Sequence, residues 1–157
     1  MEGYLFDRAA WTWGLLLIAL TVATHATAVV GMALAGVQLR FRLEERRPAR
    51  RVVIPIVMGV VCAVGMLLAL LHATEAAIWA TAYLCLGALR SPTDAILYSL
   101  GAITTAGAPG SISPEGHWRI VGALESVDGG LLFGISTAYL FAVLQMYWPM
   151  LSHRQRS

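Results

Sequence analysis

Few residues in this chain can do chemistry, and their spacing narrows what they could do. Glu125 and Asp128 stand at i and i+3 in an otherwise apolar run from 120 to 148, so on a helix they share one face. Carboxylates in such a run are costly in lipid and face a bundle interior or an aqueous path. His72 and Glu75 repeat the spacing in a second apolar stretch. One helical turn offers too few ligands for a metal site by itself, so an interfacial hydrogen-bonded pair is expected there. His25, alone in the run 12–36, reads as a packed polar residue. Residues 93–105 form a short apolar helix pattern closing in Thr104, Thr105, Ala106, Gly107, Ala108, Pro109 and Gly110, with Glu115 and His117 just beyond. The chain holds no nucleophile–base pair, phosphate loop or cofactor fingerprint, so neither an enzyme nor a bound cofactor is expected. Cys62 and Cys85 lie in apolar runs and read as small core residues with no redox or zinc pattern.

Elements long enough to position these groups follow from composition. Of the 157 residues 58% are hydrophobic and 13% charged, with mean hydropathy +0.69. Soluble domains carry about a quarter charged residues, so the chain reads as an integral membrane protein of the all-α class. The net charge is only +2 and every basic side chain is Arg, which leaves no basic face for nucleic acid. A bilayer core of about 30 Å takes roughly 20 apolar residues in helix. Three runs qualify: 12–36, 52–71 and 120–148. Val52 to Leu89 taken whole would be a helix of about 57 Å, too long for the core, so either it bends or breaks near His72 and Glu75 with 76–89 along the outer surface, the favoured reading, or a long tilted helix continues outward. Residues 93–105 rise only ~20 Å. Periodicity leaves them either a re-entrant half-helix, which survives only against protein or water, or an amphipathic helix on the surface. Ser91-Pro92 followed by Asp94 reads as the cap of that helix.

Arginine placement sets the expected orientation. Arg40, Arg42, Arg46, Arg47, Arg50 and Arg51 fall in one short connection, which the positive-inside rule makes cytoplasmic. Arg154 and Arg156 then fall on the same side, and Glu2 and Asp7 face outward. Trp11, Trp13 and Trp148 fit interfacial belts. The run before Ala26-Thr27-Ala28 mimics a signal peptide, but its non-basic start and its continuation through Ala35 predict a retained helix. The predicted layout is an N-terminal transmembrane helix within 1–36, a cytoplasmic Arg-rich loop 37–51, a module over 52–148 and a short cytoplasmic tail 149–157. The setting is the plasma (inner) membrane.

The stretch Tyr98-Ser-Leu-Gly-Ala-Ile-Thr-Thr-Ala-Gly-Ala-Pro-Gly110, with Trp118-Arg119 opening the next helix and Asp128-Gly129-Gly130 within it, resembles the potassium-channel pore module of the two-helix pore-loop family. The likeness covers about 52–148 and includes His72, Glu75, Trp79, Tyr83 and Gly87 on the outer helix. It implies a pore helix at 93–105, a selectivity filter at 105–110, an inner helix at 118–148 with a hinge at Gly129, Gly130 or Gly134, and a homotetramer around one axis. It further implies that carbonyls of Thr104, Thr105 and Ala106, with the Thr105 hydroxyl, hold monovalent cations, K⁺ or Na⁺, with no other metal.

The filter departs from the family pattern Thr-Val-Gly-Tyr-Gly-Asp. Gly107 is kept, but Ala108 replaces the tyrosine, Pro109 the second glycine and Gly110 the acid. Proline fixes φ near −65° and lacks an N–H, so the outer half cannot take the usual form. The expectation is a channel with a wider outer mouth and weak discrimination between K⁺ and Na⁺. Glu125 either supports the filter from behind or faces the cavity; Asp128, beside the glycine pair, is expected at the cavity. Glu115 either replaces the missing mouth acid or is a solvated loop charge. The rivals are a non-conducting scaffold or accessory subunit and, lower, a small multidrug-type transporter, which would normally carry a carboxylate in an early helix.

Overall fold

The computed structural model describes residues 8–46, 49–107 and 112–152. Among them the chain is all-helical: α1 (Arg8–Arg46), α2 (Arg50–Cys85), the short α3 (Pro92–Ile103), a 3₁₀ turn (Gly116–Trp118) and α4 (Arg119–Ser152). The three long helices are each apolar and long enough to cross a bilayer. All three are apolar on nearly every side, as lipid-facing helices are. Large side chains such as Leu16, Leu34, Met66, Phe133 and Phe141 stand exposed on the single chain. Cys62 and Cys85 are exposed too, contrary to the core placement expected for them.

Local chemistry explains where the helices stop. α1 was expected to end by residue 36 and instead runs through most of the Arg-rich segment. Residues 37–46 contain no glycine or proline, Arg40 Nε pairs with Glu44 Oε1 at 2.8 Å across one turn, and Leu43 is buried. The segment expected as a loop at 37–51 is therefore helical through Arg46, and α2 begins at Arg50. The break expected at His72 and Glu75 is also absent, because α2 passes through them unbroken. It stops at Gly87, where φ is +68°, Gly87 N–H donates to Leu84 O (3.1 Å) and Ala88 N–H to Tyr83 O (2.9 Å). This is the paired C-terminal cap that needs a left-handed residue, and glycine supplies it without strain. α3 starts as its sequence predicts: Ser91 Oγ accepts from Asp94 N–H at 3.3 Å and Pro92 fills the first turn.

Packing centres on α4, which touches each of the other helices. Its buried positions are 121, 122, 125, 128, 129, 132, 136, 139, 143 and 147, which trace one face. At the end that carries the Arg-rich segment, Leu43, Val53, Val57, Val143 and Tyr147 form one cluster, and Tyr147 donates to Gly36 O at 3.0 Å. At the other end Ala10, Leu17, Trp79, Tyr83 and Val121 form a second. α3 lies against α2 and α4. It comes so close to α4 that a Cβ on Gly129 would collide with the Ile103 carbonyl, and one on Gly122 with the Tyr98 hydroxyl.

Gly129→Ala should therefore lower the thermal unfolding midpoint in detergent, at a cost of about 1–3 kcal/mol for overpacking. Gly130→Ala, which meets nothing within 4 Å, should leave it unchanged or higher. Circular dichroism melts of the two variants check this, and equal midpoints would disprove the close approach.

Candidate functional site

The buried stripe of α4 is where the ionisable residues gather. Tyr83 Oη donates to Glu125 Oε2 at 2.6 Å, and Ser99 Oγ is hydrogen-bonded to Glu125 Oε1 and lies 2.8 Å from Ala76 O. Glu125, Tyr83 and Ser99 are all sealed from solvent. This carboxylate sits behind α3 and ties it to α2 and α4, so the support alternative is the one the packing favours over a cavity position. One turn further, Asp128 Oδ2 accepts from Thr21 Oγ1 at 2.6 Å and Trp79 Nε1 at 3.1 Å. Asp128 is 1% exposed. Asp128, expected at the cavity, shares a face with Glu125 and Leu132 and is turned towards α1 and α2, where Thr21 and Trp79 meet it.

A third knot lies two turns on. His25 Nδ1 is 2.8 Å from Glu75 Oε1, and His72 Nδ1 is 3.0 Å from Glu75 Oε2. The opposite nitrogens of both rings meet Ser136 Oγ, at 3.0 Å from His72 Nε2 and 3.2 Å from His25 Nε2. Glu75 and His25 are fully buried. The pair expected at an interface is thus the inside of a three-helix junction. A carboxylate there can be accommodated because His25 from α1 and His72 meet it, with Ser136 of α4 behind both rings, where an isolated buried charge could not. That also explains why α2 need not break at this point.

The end of α3 differs in character. Thr104, Thr105, Ala106 and Gly107 are exposed, and the chain turns through alternating hands: φ is negative at Thr104 and Ala106, +57° at Thr105 and +83° at Gly107. Thr105 is the only non-glycine with positive φ among the described residues, a conformation that costs about 1–2 kcal/mol for an L side chain. The turn caps α3, with Thr105 N–H donating to Ala102 O and Gly107 N–H to Gly101 O, each at 3.0 Å. It borders a cleft of about 250 Å³ lined by His72, Ile103, Thr104, Thr105, Gly129 and Phe133. Ala108, Pro109 and Gly110 lie outside the described residues. Gly130 and Gly134 are on the open side of a continuous α4. Glu115 is exposed with its N–H 3.4 Å from Ala88 O, and the His117 ring packs on Trp118 at 4.4 Å between centroids.

The sequence reading missed Thr21 and Ser136. Both were reachable: Thr21 precedes His25 by one turn, and Ser136 continues the 125, 128, 132 phase. No family model matches the chain, and neither a curated protein nor a solved structure matches it.

In the Glu125 knot, a glutamine could still accept from Tyr83 and donate to Ser99, whereas Leu would strand the buried Tyr83 hydroxyl. Glu125→Gln should therefore melt near the parent, and Glu125→Leu lower by about 1–3 kcal/mol, the usual cost of an orphaned buried polar group. A Leu variant as stable as the Gln variant would show that the hydrogen bonds hold nothing in place.

Proposed function

We propose that this chain is one subunit of a pore-loop cation channel of the potassium-channel type, with α3 re-entering the bilayer and copies, four by the family resemblance, meeting around an axial path. One observation carries the reading: a short apolar helix ends in an exposed turn of alternating hand, strained at Thr105, while its back is pinned by Ser99 to Glu125 and its end rests on Gly129. A backbone whose residues alternate in hand turns successive carbonyl oxygens to one side, which is how a filter replaces an ion's water shell. Strain of this kind persists only where the surrounding structure holds it, and it concentrates at functional sites.

In this reading Thr104, Thr105 and Ala106 offer carbonyls, and Thr105 also its hydroxyl, to K⁺ or Na⁺. Glu125 is a positioning residue behind the turn, and Gly129, Gly130 and Gly134 give α4 its hinge. Pro109 and Ala108 leave the outer mouth wide, so selectivity between K⁺ and Na⁺ is weak. The Arg-rich connection faces the cytoplasm of an inner membrane, with the N-terminus outside. α1 has no arginine ladder, so voltage is not its stimulus. The open side of α4, with Val127, Leu131, Phe133 and Phe141 exposed, meets lipid or neighbouring copies.

Flux from proteoliposomes under K⁺ and Na⁺ gradients tests this. Both ions should pass, and Gly107→Ala, which forces a side chain to φ +83°, should cut flux several-fold without unfolding the bundle. Strong preference for K⁺ would overturn the wide mouth. Silence to both ions from folded protein would favour the scaffold alternative.

A further inference from the structure

The third knot has features that hydrogen bonding alone does not use up. Its two imidazoles come from different helices, yet both direct Nδ1 to the one carboxylate of Glu75, at 2.8 and 3.0 Å. Glu75 Oε2 is buried and makes no hydrogen bond, since its approach to His72 Nδ1 is misaligned for one. One ligand atom from each of His25, His72 and Glu75 falls within 4.8 Å of the others. Both Nε2 atoms converge on the same acceptor, Ser136 Oγ. A hydroxyl oxygen has two lone pairs and can receive an N–H from each ring. In that tautomer both Nδ1 lone pairs face the carboxylate, and a bound cation satisfies all three groups; without one, a ring turns its Nδ1–H to Glu75 and accepts from the Ser136 hydroxyl instead.

We propose that His25, His72 and Glu75 bind one divalent transition-metal ion of the zinc type, through the two Nδ1 atoms and the Glu75 carboxylate, with Ser136 orienting both rings. Two imidazoles and a carboxylate, with water in the fourth position, are a familiar zinc donor set. Imidazole nitrogen favours zinc, copper or nickel over magnesium and calcium, which prefer an all-oxygen shell. Metal–ligand bonds of about 2.0–2.2 Å in a tetrahedron set ligands roughly 3.3 Å apart; each Nδ1 is already 2.8 or 3.0 Å from its carboxylate oxygen, and ligand atoms of the three residues lie within 4.8 Å of one another. Outer partners of metal-bound histidines fix ring orientation, and Ser136 is placed to do that for both. A route exists, since the His72 side chain is 21% exposed and lines the cleft beside Thr104 and Thr105. The ion ties α1 to α2 at a point where α4 also packs. If the pore reading holds, it sits beside the turn that lines the ion path.

The test needs no flux. The full chain, purified in detergent and stripped with EDTA, is titrated with ZnCl₂, and bound metal is counted by plasma mass spectrometry after desalting. One zinc per chain and a rise in melting temperature are expected. Ser136→Ala should weaken binding about 10–100-fold, as loss of an outer partner does. His72→Gln, at the partly exposed ligand, should abolish it while the far-ultraviolet spectrum stays helical. His117→Ala, outside the knot, should bind as the parent does. MgCl₂ should not compete. No retained zinc in the folded parent would overturn the proposal, and so would zinc binding unchanged in His72→Gln. A channel that conducts but binds no zinc would sink this inference alone, and a zinc-binding chain that passes no ion would sink only the pore.

Discussion

A carboxylate inside an apolar bundle must be met by donors, and that demand organises this protein. Glu75, Glu125 and Asp128 are all buried, and each takes at least one partner from a helix other than its own. Between them they link α1 to α2, α1 to α4, and α3 to both α2 and α4. Apolar contact cannot do this in lipid, because hydrocarbon is as good a neighbour for leucine as another helix is. Directional hydrogen bonds choose one rotation and one height for each helix. The polar stripe of α4 is therefore a register device as much as a set of chemical groups.

Close backbone approach works alongside it. Gly129 lets the α3 backbone at Ile103 lie against α4 where any side chain would hold it off, and Gly122 leaves room for the Tyr98 hydroxyl. Small residues at such crossings are how membrane helices gain contact. Pinned at Ser99 and seated on Gly129, α3 is held at both its back and its end, which is what a left-handed Thr105 requires in order to persist. The strained turn and the buried Glu125 thus depend on each other through α3.

The surface tells the complementary half. The side of α4 away from the stripe is apolar, with two glycines, Gly130 and Gly134, open to it. α1 and α2 are likewise apolar outward. The Arg-rich stretch closes one end of the bundle, whereas the exposed Thr104–Gly107 turn lies part-way along it, beside His72, Gly129 and Phe133.

Much of this could be read from residue order alone. The three apolar spans, the Ser91 cap, the short helix before Gly107 and the shared face of Glu125 and Asp128 depend only on near neighbours, and near neighbours are what a sequence displays. Length misled where polar residues were taken as ends: His72 and Glu75 looked like a boundary because His25 lies 50 positions from Glu75 and Ser136 lies 64 from His72. Asp128 looked like a cavity group for the same reason, since Thr21 is 107 positions away. Helical phase is local and so was legible; which way each helix rotates to meet its neighbour is a property of the packed bundle, because only there does the cost of an unmet buried charge select one arrangement.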